Sequence, residues 1–294
     1  MKSRTVSGEG FFAFSFMMKS TISCVYRPIP VKELEYILQS MPRVIIDLLS
    51  VQNLSLKGAK WQILENFNVL FVGYIHEQRF FKIWSSKMAY VLGFFAADGS
   101  MYVNPRGGKY ISFYSNDREI IEKIKHCLSA KHKIGKRKVS KISSNFRYTL
   151  QIGSKQVYSD LIKLGLTSNK STTLEFPKIP DEYLRDFVRG YFDGDGNILF
   201  KNYYRKDRKK FKYYFATKFI CGSKIFLGCL REYLIWYANL SPGSLFVGER
   251  CFVLSFAMKD SKRLCEFMYE GVKNGLYLKR KYLIYKQAIN IMGW

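Results

Sequence analysis

Histidine is scarce in this chain: three occur in 294 residues, His76, His126 and His132, and none stands at a metal-ligand spacing from another. Zinc centres and histidine-based hydrolytic chemistry therefore lack their usual groups. The six cysteines, Cys24, Cys127, Cys221, Cys229, Cys251 and Cys265, contain no C-x-x-C pair. They read as reduced, mostly buried thiols of a reducing compartment, cytoplasmic or organellar and not secreted. Long apolar runs are missing too, since nothing approaches the roughly 20 residues that cross a bilayer. The short run "FFAFSFMM" (11–18) stops at Lys19 without a small-residue cleavage site, which argues against a secretory signal. Acidic charge is the last shortage. With 23 Asp and Glu against 48 Lys and Arg the formal charge is +25, so the expected partner is a polyanion, nucleic acid before membrane.

A hydrophobic share of 48% is enough for a real core, in one large domain or two ordinary ones. The charge is unevenly placed. Residues 1–87 hold 11 basic and 6 acidic side chains, and residues 88–294 hold 37 and 17, for net charges of +5 and +20. The polyanion-binding surface is expected after residue 87.

The chain contains an internal repeat. "YVLGFFAADGSMYV" (90–103) matches "FVRGYFDGDGNILF" (187–200) in residue type at nearly every position, offset by 97. After the first copy come a strand-like "KYISFYS", a helix-like "NDREIIEKIKHCLS", a basic stretch, a strand "FRYTLQIG" and a helix "KQVYSDLIKLGL". The second copy runs through the same order, so each reads as helix, strand pair, helix, strand pair, helix. Two copies in one chain suggest a pseudo-twofold molecule. Gly93 and Ala97, like Gly190 and Gly194, are four apart and put small residues on one face of each motif helix. Such faces let two helices approach closely.

Close packing has an electrostatic consequence. Asp98 and Asp195 hold equivalent places at the negative ends of the two helices, before Gly99 and Gly196, where an acid costs roughly 0.3–1 kcal/mol. Two carboxylates about 4 Å apart repel by roughly 4 kcal/mol at an effective dielectric of 20. Either a divalent cation sits between them or one acid stays protonated. Oxygen ligands with room for water and phosphate suit Mg²⁺, with Mn²⁺ as substitute. Asp193 has Ala96 as its counterpart, and an acid present in one half only reads as a cap, a salt-bridge partner or a supporting group.

With "VLGFFAADG" (91–99) and "VRGYFDGDG" (188–196) at domain spacing, the chain resembles the LAGLIDADG homing endonucleases over about residues 85–290. The resemblance implies an α+β fold of two pseudo-symmetric αββαββα repeats, 85–180 and 181–294, whose motif helices form the interface and whose antiparallel sheets make a saddle over DNA. It implies a monomer that cuts one phosphodiester in each strand of a long pseudo-palindromic target, with metal at Asp98 and Asp195 and the Gly99 and Gly196 backbone alongside. It further implies a basic residue near each metal, pointing to Lys170 and Lys281, with Lys279 close to the latter. Two alternatives share this scaffold: an RNA maturase acting on its own intron RNA, and a catalytically inactive DNA-binding regulator.

The basic runs 131–147, with seven Lys or Arg and no acid, and 201–218, with eight against Asp207, are expected at equivalent places in the repeat, as ribbons laid in a groove. From them come the expected DNA contacts Lys136, Arg137, Lys138, Arg205, Lys209 and Lys210. Period-two alternation adds Tyr110, Ser112, Tyr114, Arg147 and Gln151 in the first half and Lys212, Tyr214 and Lys218 in the second. Residues 1–84 have no counterpart in the repeat and read as a small, mainly helical extension.

Overall fold

The computed structural model describes residues 79–139, 145–168, 170–273 and 275–294. The expected helical extension falls on residues 1–78, outside the described residues. The described part starts before the boundary expected at 85: Phe80 and Phe81 form a 3-10 turn whose rings are buried in the core.

The first motif helix, α1 (Ser86–Asp98), starts where the Ser85 hydroxyl accepts from the Met88 N–H at 3.2 Å. This satisfies one of the donors a helix start leaves over. It is buried from Met88 through Ala96, as an apolar run without polar alternation dictates. It leads without a loop into β1 (Gly99–Val103), which pairs with β2 (Lys109–Ser115); α2 (Arg118–Cys127), β3 (Ile134–Lys138), β4 (Phe146–Gly153) and α3 (Lys155–Lys163) follow. A four-residue turn, α4 (Lys170–Thr173), precedes the second motif helix, α5 (Asp181–Asp195), which has Asp181 and Glu182 in its first turn, where acids suit the dipole. The second half repeats the order with β5 (Gly196–Arg205), β6 (Lys210–Cys221), α6 (Lys224–Ala238), β7 (Ser244–Gly248), β8 (Cys251–Ala257) and α7 (Lys259–Tyr269). It then adds α8 (Lys279–Met292).

The sheets are antiparallel, ordered β1-β2-β4-β3 and β5-β6-β8-β7. Identical strand order in both halves is the repeat made visible. Ile111, Phe113, Leu150 and Ile152, and in the second half Phe215, Phe219, Leu254 and Phe256, turn to the helices and are buried. The alternate residues lie on the opposite, open face of each sheet.

At the centre, α1 and α5 pack backbone to backbone. A Cβ on Gly93 would run into the Phe187 carbonyl, and a Cβ on Gly190 into the Tyr90 carbonyl. These contacts are one contact written twice, because 90 and 187, like 93 and 190, are 97 apart. Such reciprocity marks a twofold interface. A Cβ on Gly194 would likewise strike the Ala97 methyl. The small-residue faces expected at Gly93, Ala97, Gly190 and Gly194 are thus the helix seam.

The two basic runs do not occupy equivalent places. The described residues of 131–147 fall in or beside the outer strands β3 and β4 of the first half, whereas 201–218 belong to the inner hairpin β5–β6 of the second. The runs start 70 residues apart, not the 97 of the repeat; charge density alone carries no topology, and strand pairing does.

Candidate metal site and nucleic-acid face

Each motif helix ends with an acid and passes through an extended glycine into a strand. Gly99 and Gly196 have φ of −99° and −86°, which any residue tolerates, so the glycines are not needed for backbone freedom. They are needed for space: a Cβ on Gly99 would meet the Phe95 ring, and one on Gly196 the Phe192 ring. The tight exit fixes the position of the preceding acid. Asp98 and Asp195 are both half-buried. A Cβ on Gly194 would lie 3.5 Å from Asp98 Oδ2, so the Asp98 carboxylate hangs over the neighbouring helix, beside Asp195. An open cavity of about 240 Å³ adjoins Asp98, with Tyr114, Ser115, Asn116 and Arg147 in its walls. Arg147, expected only as a DNA contact, thereby shares a cavity with an acid.

Lys281, expected near the metal, is enclosed by the protein. It is 2% exposed. Its ammonium donates to the carbonyls of Phe192, Asp193 (3.0 Å) and Gly196 (2.6 Å), the end of α5. A cation there meets the negative pole of the helix. Burial pushes the Lys281 pKa down to about 8, against Asp193, Asp98 and Asp195, which favour the charged form, while Arg280 opposes it. Lys281 thus acts on the acids through its field, and the Gly196 carbonyl, expected beside the metal, accepts from it. Lys279 is exposed, so of the two lysines Lys281 is the one whose ammonium lies at the end of α5. In the first half, Lys170 opens α4; its side chain lies outside the described residues.

Asp193 supports Lys281 and binds the halves together. It is 3% exposed, and its Oδ2 accepts from the Tyr90 hydroxyl of α1 at 2.7 Å and from the Leu278 N–H at 2.8 Å. Burial raises its pKa, with Lys281, Tyr90, Leu278 and Arg189 working the other way. One turn earlier, Arg189 has no exposed surface and donates to the Leu276 and Met268 carbonyls and to Asp186. The sequence did carry a signal for this cluster, because the offset of 97 sets Arg189 against Leu92 and Asp186 against Ala89.

On the sheets, residues directly opposite in register share a face. Tyr110, Ser112, Tyr114, Arg137, Arg147 and Gln151 lie on the open face of the first sheet, and Arg205, Lys210, Lys212, Tyr214 and Lys218 on that of the second. Three expected contact residues, Ser112, Lys136 and Lys138, need correction. Ser112 is on the right face but has no exposed surface; its side chain is too short to rise between Tyr110 and Tyr114 on the same strand. Lys136 and Lys138 alternate with Arg137 and so face the other way, with Lys136 Nζ 3.9 Å from the Phe146 ring centre. Lys209 lies in the β5–β6 turn, outside both strands. Arg137 stands directly opposite Arg147. Like charges so paired are destabilising until an anion lies over them.

The comparisons with known proteins match this geometry. Residues 85–163, the first repeat, match the family model described as a LAGLIDADG-like domain. Among solved structures, the I-LtrWI LAGLIDADG homing endonuclease bound to target DNA aligns with a TM-score of 0.50 at 14% identity, over 71% of this chain and 91% of that one. This is the two-repeat LAGLIDADG homing endonuclease fold. A point mutant of I-SmaMI aligns with a TM-score of 0.51 at 14% identity, over 71% and 92% of the two chains. The LAGLIDADG meganuclease I-CpaMI bound to uncleaved DNA aligns with a TM-score of 0.51 at 13% identity, over 72% and 92%. No curated protein matches the sequence. The LAGLIDADG motif itself maps onto the last turns of α1 and α5, the stretch that carries both the seam and the acids.

Proposed function

We propose that this chain is a divalent-metal-dependent, site-specific double-strand DNA endonuclease acting as a monomer. One observation carries the proposal: two half-buried aspartates, Asp98 and Asp195, sit at the adjoining negative ends of two helices packed through Gly93 and Gly190. Packing alone gives no reason for two acids there, and a fold with charged open sheets supplies a duplex-sized surface. Among the described residues no three His, Cys, Asp or Glu side chains gather as ligands. The donor set therefore fits a hard cation that takes two carboxylates and completes its shell with water and phosphate, such as Mg²⁺ or Mn²⁺.

When bound, such a cation supplies an acidified water and charge neutralisation at the scissile phosphate. The residues of the chain do the rest. Asp98 and Asp195 would hold the metal at the seam, where the glycine contacts set how closely the two helices approach. Lys281, charged below about pH 8, offsets the negative helix end beside Asp195. Arg147 and Asn116, in the cavity with Asp98, are placed to meet a phosphate oxygen. The open faces, through Arg137, Lys212 and Lys218, hold the duplex by contacts whose affinity falls steeply with salt.

The test is cleavage of DNA spanning the intron-less insertion locus, with and without Mg²⁺. We expect cutting with Mg²⁺ only, and Asp98→Asn or Asp195→Asn to lower it on the order of a hundredfold or more, as the loss of several kcal/mol of charge stabilisation requires. Tight binding of the host intron RNA with that DNA left intact would replace this reading by a maturase.

A further inference from the structure

The two inner hairpins start at the same place and end at different ones. β1–β2 pairs over five rungs, from Gly99 with Phe113 to Val103 with Lys109. β5–β6 pairs over ten, from Gly196 with Phe219 to Arg205 with Lys210. Both first rungs adjoin the metal-binding acids, so rung number measures distance from the proposed cutting centre. At about 3.4 Å per residue the second hairpin reaches roughly 17 Å further. The first hairpin does not recover that length in its turn, because Asn104 Oδ1 accepts from the Arg106 and Gly108 N–H groups and folds the connection back on itself.

The extra rungs are built as a free-standing ribbon. Beyond Phe200 the core no longer covers them, and Tyr204, Phe211 and Tyr213 on the back face are exposed. Those rings pack on one another instead: Tyr204 with Phe211 at 5.1 Å and Phe200 with Tyr213 at 5.3 Å. Cross-strand aromatic pairs of this kind stiffen a two-stranded ribbon that would be marginal alone. The front face of the same rungs carries Lys201, Tyr203, Arg205, Lys210, Lys212 and Tyr214. The corresponding face of the short hairpin holds Ser100, Tyr102, Tyr110, Ser112 and Tyr114, without a charge. A stiff strand pair with cations on one face and aromatic staples on the other has a shape and charge suited to a duplex groove.

We propose that the second half of the chain grips DNA about five base pairs further from the cut than the inner hairpin of the first half does, so that the cut lies off-centre in the bound duplex. The figure takes one base pair per 3.4 Å of helix axis. The inference rests on the endonuclease reading and adds to it which half carries the longer arm.

The experiment uses the full chain and a duplex enriched from a long random library by the chain itself, with Ca²⁺ in place of Mg²⁺ to hold back cutting. Hydroxyl-radical footprinting should show one arm longer than the other. A variant carrying Arg205→Gln, Lys210→Gln and Lys212→Gln should shorten only that arm and lower the salt slope of binding by about 0.9 for each phosphate it no longer neutralises. A second variant, Arg137→Gln, should leave the long arm unchanged. Arms of equal length, or a triple variant that trims both arms or neither, would overturn the inference while leaving the endonuclease reading standing. No enrichment of any duplex would overturn both.

Discussion

The two motif helices share a backbone arrangement and differ in what they bury. On α5 the residues Asp186, Arg189 and Asp193 are buried; the α1 counterparts are Ala89, Leu92 and Ala96. Across the seam the same exchange recurs: Tyr90 donates to Asp193, while its equivalent on the second helix, Phe187, has no hydroxyl to give. The polar version has work that the apolar one lacks. Arg189 holds the Met268 and Leu276 carbonyls and Asp193 the Leu278 N–H, so the cluster clamps the segment that leads into α8 and delivers Lys281. Lys123 on α2 donates to the Tyr277 carbonyl at 3.2 Å, and Arg280 pairs with Asp117 at 3.0 Å, fastening that segment to the first half as well. Among the described residues the first half has only the four-residue α4 at the corresponding place. Symmetry is therefore kept where the backbones touch and abandoned where one half must anchor a longer element.

The largest effect should come from breaking the polar cluster at its centre. Arg189→Leu copies the first half at one position and leaves the Asp186 and Asp193 carboxylates without their guanidinium in the core. Removing one partner of a buried ion set costs about 3–5 kcal/mol, and urea unfolding would read it. Removing the ion pair together, Asp186→Ala with Arg189→Leu, should cost less than the single change, because Asp193 keeps Lys281 and no buried charge is stranded. If the double variant is the less stable of the two, the cluster is held by directional bonds to residues 268–278 more than by its own charge balance.

A middle-sized effect should be equal in both halves. Gly93→Ala and Gly190→Ala each drive a methyl into a backbone carbonyl, and overpacking of this kind costs about 1–3 kcal/mol. The reciprocal geometry requires the two losses to agree. A large difference between them in thermal unfolding would show that the seam is less symmetric than its contacts.

Much of this was legible in the sequence, and the reasons divide cleanly. The repeat, the strand order and the small-residue seam follow from residue type at a fixed offset, and a twofold interface needs no more than that. The acids at Asp98 and Asp195 were legible because helix ends announce themselves through the glycines that follow. Lys281 was placed near the site only through family resemblance. Its burial was not legible, since a lysine in "YLKRKYL" looks solvated until the Phe192, Asp193 and Gly196 carbonyls surround it. Ser112 and Lys136 were misread by local rules: exposure depends on the length of neighbouring side chains, and charge runs ignore the alternation of a strand. The 97-residue offset does put Asp186, Arg189 and Asp193 opposite apolar residues, and that contrast is readable. What they hold is not, because their partners lie about 80 residues downstream in a connecting segment.

The most gradual effect concerns Lys281 and pH. Its folded pKa of about 8 lies below the ordinary 10.5 because burial penalises the ammonium. Between those values the unfolded chain binds the proton and the folded chain does not, so this group's contribution to stability rises with pH. It is fully present above about 10.5 and lost as pH falls through about 8. In the metal-free chain the stability difference between wild type and Lys281→Met should be flat just below pH 8 and should climb in favour of wild type from pH 8 upward, by at most about 3 kcal/mol. Unfolding by urea with a chelator present, at steps from neutral to pH 10, measures it. A difference that stays flat throughout would mean that the three carbonyls and Asp193 compensate Lys281 for its lost hydration, and that the second helix end holds a fully charged lysine at every working pH. The first helix end would then differ from the second in charge as well as in packing, and the two acids would sit in unlike fields despite their equivalent places.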